Sequence, residues 1–537
     1  MLQALKQLPF FRGQHHRRQI PYSQNLSRIS PLRRRYFLVF ALLGFATLLT
    51  ACAAISTDRQ DSWQANLALF ENELADLQQA LAIPGLAYVI VEDGRVLGSG
   101  ALGVKREEQN TPFTEDTPLR IASVTKAFTA IVALQLSQDK QLDLEAPARR
   151  YAPSLALPGE VLVRHLLTHT SEGKIGADYV YGTNRYSMLQ NVIEGASGMS
   201  FDTVLRQSIL TPAGMEEFPS PALGAHAGLV STTREMGKFL TALDRDALLA
   251  PASLARLKVP SSSSTGKPLP VSLGWFSQVV QGERLVWSFG QDDPEHSGAL
   301  LLRVPERNLS VFILANSNLL SDPFRLLMGD VSKSPFAMSF LRLFAFSKPG
   351  QPLQRPTRNA PDLDSQLTTL EANNRYRWKD ELLGWGLIDL WTEDTAQGQT
   401  KFKLARARYP HKPDAVAHFA ALRFSDGPEK DLAIHDGEQL LIEHPMNRWI
   451  LLAQGYLLQQ RVRPAEASQH FLTIHDLPNQ EPDFVQRLFQ TWSWMALAQM
   501  SAKDDPEKAR GYLQQLISSG VKGGMLDDAK RMLKTLE

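Results

Sequence analysis

The sequence predicts a mixed α/β (α+β) domain, a sheet with a helix layered on it, followed by a C-terminal α-helical, repeat-like domain. Three observations carry that expectation. Leu86–Val91 and the run from Val96 onward are short apolar stretches separated by Asp93-Gly94, a strong hairpin signal. After Ser123 the apolar residues Ala127, Phe128, Ile131, Val132, Leu134 and Leu136 fall at helical spacing. Residues 366–537, beyond a run with prolines at 349, 352, 356 and 361, show helical periodicity without strand signals.

Taken from the N-terminus, residues 1–51 read as a leader. They hold eight of the 57 Lys and Arg residues and no acid, and Arg33-Arg34-Arg35 precedes an apolar run too short for a comfortable membrane span. That run ends in Leu49-Thr50-Ala51-Cys52, which resembles a bacterial lipoprotein cleavage box, and Cys52 is the only cysteine, so no intramolecular disulfide is possible. The expectation is a lipid on Cys52, a tether over 52–62, and anchoring on the periplasmic side of a bacterial envelope, at the outer membrane rather than the inner. An uncleaved N-terminal anchor is the alternative. The rest of the chain carries 49 basic against 56 acidic residues and has no electrostatic reason to bind nucleic acid.

Asp61–Leu81 is an amphipathic helix with Trp63, Leu67, Phe70, Leu74 and Leu77 on its apolar side, and the hairpin follows it. Next comes Leu119–Lys140, with Ser123-Val124-Thr125-Lys126 at the start of its helix. Three residues of helix place an amine above a hydroxyl on one face. A serine alcohol needs a neighbouring base, and a lysine with its pKa lowered by desolvation can be one. Ser-x-x-Lys occurs five times, from Ser123, Ser137, Ser171, Ser264 and Ser519, but only the first copy opens a long apolar helix.

The order of further blocks resembles the serine β-lactamase and penicillin-binding-protein superfamily, in its class C-like branch, which also holds D-Ala-D-Ala carboxypeptidases and esterases. The blocks are Ile83-Pro84-Gly85, Thr117 to Thr129 around Ser123, Leu142-Asp143-Leu144, Val163 to Ser171, Pro212 to Met215 and Ala227 to Thr232. The resemblance spans about 63–345 and implies a β-lactamase-like fold, an antiparallel sheet flanked by helices plus an all-helical domain, with Ser123 as nucleophile. Where the family closes the Val163–Ser171 block with glycine, this chain has Glu172-Gly173.

The resemblance also implies a tyrosine opposite the serine, in a Tyr-x-Asn motif. Tyr181 fits, as general base beside Lys126; Thr183 takes the asparagine position, with Asn184 one residue late. A loop tyrosine packed on the sheet is the bland alternative. For the third motif, Lys- or His-Thr-Gly, the strand Leu285–Gly290 puts Ser288-Phe289-Gly290 in place, while His296-Ser297-Gly298 matches better as letters. The first is preferred because two further strands, Ala299–Val304 and Val311–Ala315, follow it. A serine there leaves no cation for a substrate carboxylate, which leans toward a neutral ester over a penicillin.

His165 and His169, four apart on an expected helix, have metal-like spacing but no third ligand, so no metal and no cofactor is expected. In the C-terminal region Trp449–Tyr456 with Ala465 fits a tetratricopeptide opening, and Trp494–Ala498 repeats its start at the wrong period; a plain helical cap is the alternative. The functional expectation is a serine hydrolase acting through an acyl-enzyme on a small-molecule or peptide-like acyl substrate. Its rival is a scaffold lipoprotein that keeps the fold without chemistry and binds a protein partner through its helical end.

Overall fold

The computed structural model describes residues 62–106, 110–177, 179–220, 223–292, 297–321, 324, 326, 329–409, 428–443, 445–477, 483–519 and 524–536. Residues 1–51, where a leader is expected, Cys52 and His296 lie outside the described residues. No helix among the described residues is long and apolar enough to cross a membrane.

Among the described residues nine strands form: β1 (Gly85–Glu92), β2 (Arg95–Arg106), β3 (Thr111–Pro112), β4 (Leu119–Arg120), β5 (Val230–Ser231), β6 (Phe276–Val280), β7 (Glu283–Asp292), β8 (Ser297–Val304) and β9 (Leu309–Ala315). Seven make one antiparallel sheet in the order β3-β2-β1-β9-β8-β7-β6, and β4 pairs with β5 separately. The expected hairpin is β1–β2. Asp93 (φ 50°) and Gly94 (φ 69°) both adopt the left-handed conformation that a two-residue turn needs between right-twisted strands.

Strand alternation divides the apolar residues between two cores. In β1, Leu86, Tyr88 and Ile90 enter one core while Val89 and Val91 enter the other; in β9, Val311 and Ile313 oppose Phe312 and Leu314. The first core holds the helix α2 (Thr125–Gln138), buried on all sides from Thr125 to Leu134. A helix that is apolar all round belongs in the middle of a domain. The second core holds α1 (62–80), the segment Pro335–Ala345 and, beyond it, Trp378, Leu382, Trp385 and Ile388.

The second core thus runs on from the hydrolase domain expected over 63–345, past the Pro-rich linker expected over 346–365, into the helical domain expected over 366–537. The helices Leu363–Asn373, Lys379–Trp391 and Thr395–Arg408 complete the second core. The proline-rich run is bonded down: Asn66 takes the Gly350 N–H on its oxygen and donates to the Leu343 and Lys348 carbonyls. Only from Pro428 onward do the helices build cores of their own, each packing chiefly on its neighbours in sequence.

Candidate active site

Ser123 sits in a one-turn 3₁₀ segment, Ala122–Val124, that leads into α2. Ala122 is held at φ 46°, a left-handed conformation that costs an L-residue about 1–2 kcal/mol. The surroundings fix it. Ile121 donates its N–H to the Leu229 carbonyl at 2.9 Å, and Thr125 Oγ1 donates to the Ala122 carbonyl at 2.7 Å. On the other side, a Cβ added to Gly290 of β7 would lie 2.2 Å from the Ile121 carbonyl oxygen, so only glycine lets the strand approach the turn this closely.

The Lys126 amine lies 2.7 Å from Ser123 Oγ and donates to the His226 carbonyl at 3.1 Å. Lys126 is only 2% exposed, and no carboxylate among the described residues forms an ion pair with it. Burial brings the amine down to about 7. Near neutral pH it is therefore poised between donating and accepting a proton.

Two phenol rings flank that amine, Tyr181 with its centroid at 5.2 Å and Tyr186 at 5.6 Å. They differ in station. Tyr186 is fully buried, donates its hydroxyl to the Lys126 carbonyl at 2.9 Å and is pushed up by burial, so it stays a neutral support. Tyr181 is half-buried and stacks on Phe289 and Phe276, which in turn stacks on Trp287 at 4.3 Å.

The structure thus brings together Ser123, Lys126, Tyr181 and the Ser288-Phe289-Gly290 stretch of β7. By strand alternation Ser288 shares the Gly290 face, and it is buried, while Phe289 supports Tyr181 from the opposite face. β6 pairs with β7 only up to Trp287, so residues 288–292 have a neighbouring strand on the β8 side alone. The rival glycine, Gly298, abuts the Ser317 carbonyl instead, and Ser297 donates its hydroxyl to the Arg120 carbonyl. Thr183 is half-buried at the start of a short helix, Thr183–Ser187; Asn184 is exposed there.

The two histidines do not share a helical face as expected. The helix ends at Leu167, and His169 lies beyond it at φ 54°. His165 accepts the Leu162 N–H on Nδ1 at 3.1 Å and His169 accepts from Gly182 at 3.4 Å, so each spends a ring nitrogen on the backbone. Burial, with Arg164 for the first and Lys126 for the second, lowers them to about 4 and about 3. Among the described residues no three His, Cys, Asp or Glu side chains cluster to hold a metal. Sequence reading missed Tyr186, whose only signal is its place five residues after Tyr181, and the His226 carbonyl, which has no side-chain signal at all.

A cavity of about 320 Å³ opens elsewhere, among Arg206, Leu210, Met215, Phe218 and Leu229, and none of Ser123, Lys126 or Tyr181 lines it. Its volume says nothing about the chemistry, which follows from the contacts above.

Comparison with known proteins gives these residues a context. The β-lactamase family profile matches residues 70–327. A D-aminopeptidase of Gluconobacter oxydans is 27% identical over 326 residues, which cover 48% of this chain and 59% of that protein. Esterase EstB of Burkholderia gladioli is 36% identical over 110 residues, 19% of this chain and 27% of the esterase. The chain therefore spans less than two thirds of either relative. A solved penicillin-binding-protein homologue from Pyrococcus abyssi aligns with a TM-score of 0.46 at 20% identity, covering 56% of this chain and 81% of that one. Residues 70–327, with Ser123, Lys126 and Tyr181 inside them, are a domain of the β-lactamase family.

Proposed function

We propose that this domain is a serine hydrolase working through an acyl-enzyme on Ser123. The observation that carries the reading is the 2.7 Å contact between Ser123 Oγ and a buried amine brought to about 7. In its neutral form Lys126 accepts the serine proton as Oγ attacks an acyl carbon. Tyr181, flanking that amine, passes a proton to the leaving group as the acyl bond to it breaks. Water then gives a proton to the Tyr181 phenolate as it attacks the Ser123 ester, and the Lys126 ammonium returns the serine proton to Oγ as the ester bond breaks. The Ser123 N–H and an N–H of the singly paired stretch of β7 near Gly290 hold the oxyanion. The steps need no cofactor.

A small-molecule or peptide-like ester or amide fits this site. Ser288 provides a hydroxyl where a cation would hold a substrate carboxylate, which favours a neutral ester over a penicillin or a D-Ala-D-Ala terminus. The names borne by the relatives, D-aminopeptidase and esterase, span the same two bond types. The leader sequence supports a periplasmic protein anchored by a lipid on Cys52, and the helices after Pro428, with their tetratricopeptide-like opening, support a protein partner.

Ser123→Ala is expected to abolish turnover of p-nitrophenyl esters; unchanged turnover would remove the assignment. The altered second and third motifs favour one rival, a scaffold that keeps the fold without chemistry. A fluorophosphonate and a fluorescent penicillin separate the two: covalent labelling at Ser123 by either supports the hydrolase, and labelling by neither supports the scaffold.

A further inference from the structure

The proposed mechanism asks Tyr181 to face Lys126, yet Tyr181 lies in a loop segment just ahead of a five-residue helix. The residue that holds it there is twelve positions earlier in the chain. His169 takes both N–H groups that bracket Tyr181: its carbonyl accepts from Val180 at 2.7 Å and its Nδ1 accepts from Gly182 at 3.4 Å. Its ring lies 4.7 Å from that of Tyr181 and 5.1 Å from that of Tyr186, the same two rings that flank the Lys126 amine.

We propose that His169 is a positioning residue for the hydrolase, setting the distance and tilt of the Tyr181 phenol relative to Lys126 through its carbonyl, its Nδ1 and its ring. The inference rests on the hydrolase reading above. Two further features agree with it. His169 is buried and held at φ 54°, a strained conformation that persists only where the surroundings over-determine it. Burial, with the Lys126 charge, lowers its imidazole to about 3, which agrees with a neutral ring accepting on Nδ1 near neutral pH. A histidine that only filled space would need neither the left-handed backbone nor the bracketing bonds.

Three substitutions take the holds apart. His169→Ala removes the ring and the acceptor. His169→Asn keeps an acceptor at the Nδ1 position and tolerates φ > 0. His169→Phe keeps a ring alone. In the full chain, kcat per fluorophosphonate-titrated site and KM for a p-nitrophenyl ester are measured together with Tm. Misplacing a catalytic group by about 1 Å costs about 10²-fold. His169→Ala is therefore expected to lower kcat about 10²-fold with KM within about 3-fold, and His169→Asn and His169→Phe to recover part of that loss.

If kcat per titrated site stays within about 3-fold of wild type whatever the Tm, or the loss appears in KM, the residue is structural and the proposal is overturned while the hydrolase stands. If His169→Ala does not fold, the same criterion applies to His169→Phe, and failure of both to fold also assigns a structural role. A wild-type chain that neither turns over the ester nor labels at Ser123 overturns the hydrolase and this inference together.

Discussion

Lys126 and Arg342 are cations buried to nearly the same depth, 2% and 0% exposed, and the fold uses them in opposite ways. Lys126 meets a serine hydroxyl, a backbone carbonyl and two aromatic faces. Among the described residues no carboxylate pairs with it to offset desolvation, and the amine becomes a group that can lose its proton. Arg342 donates to Glu381 Oε1 at 2.9 Å, to Glu73 Oε2 and to the Leu353 carbonyl, with the Trp378 ring beneath it. Burial opposes its charge, but the Glu381 and Glu73 carboxylates outweigh burial and hold the guanidinium above its ordinary range. Burial alone thus sets neither the charge nor the role of a buried cation; its partners do. Arg342 joins α1, the segment before the proline-rich run and the helix Lys379–Trp391.

The sharpest way to break the contrast is to make Lys126 incapable of losing its proton. Lys126→Arg is expected to lower kcat/KM for a p-nitrophenyl ester about 10³-fold, within the range for losing a general base. Lys126→Met should lose as much while Tm holds or rises, because it removes a buried amine that no carboxylate among the described residues pairs with. Activity retained in the arginine variant would show that the amine is not the base. The pH profile carries the same logic. For wild type, kcat/KM should rise through an apparent value of about 7 as the amine deprotonates. Stability should rise over a wider window. Between about 7, the folded value, and the unfolded 10.5, the unfolded chain binds the extra proton, so raising pH favours the fold. Below about 7 both states are protonated and the penalty of the buried ammonium is fully present. Denaturant midpoints at pH 6.5 and 9 should therefore diverge in wild type and converge in Lys126→Met.

Arg342→Met reverses the outcome. It removes the cation shared by Glu73 and Glu381, each 3% exposed, leaving Glu73 with Arg355 at 3.8 Å and the Ser339 hydroxyl and Glu381 with the Tyr376 hydroxyl, and should cost about 3–5 kcal/mol of stability, the range for breaking a buried pair on one side. Chemical denaturation measures the loss, and kcat per titrated site should not change. A drop in kcat at full folding would mean that the clamp also shapes the site.

The placing of Lys126 beside Ser123 is legible in the sequence, and the placing of Arg342 between its two carboxylates is not. Ser123 and Lys126 are three residues apart at the start of one helix, so local periodicity places amine over alcohol. The Asp93-Gly94 turn and the strands around Gly290 are likewise local. Arg342 meets partners 39 and 269 positions away, and nothing in its own neighbourhood announces either carboxylate. The proline-rich run reads as a linker because prolines avoid regular structure. The bonds that strap it down come from Asn66, far earlier in the chain. His169 falls off the expected helix because its left-handed backbone answers to Val180 and Gly182, not to the helical period.

The smallest expected effect tests whether charge or shape holds the clamp. Arg342→Lys keeps a cation between Glu73 and Glu381 but replaces a planar fork with a single point donor. Arg342 sends Nε, Nη1 and Nη2 to three acceptors in three directions. One ammonium cannot reach all three, and the Leu353 carbonyl, on the proline-rich run, is the acceptor that needs no charge. Losing a hydrogen bond of this kind while both carboxylates stay neutralised should cost about 1–2 kcal/mol. Denaturation midpoints should therefore rank wild type above Arg342→Lys and Arg342→Lys above Arg342→Met. If the lysine variant falls as far as the methionine one, the fork and not the charge sustains the carboxylates. The difference between the two buried cations would then lie in their geometry rather than in the company they keep.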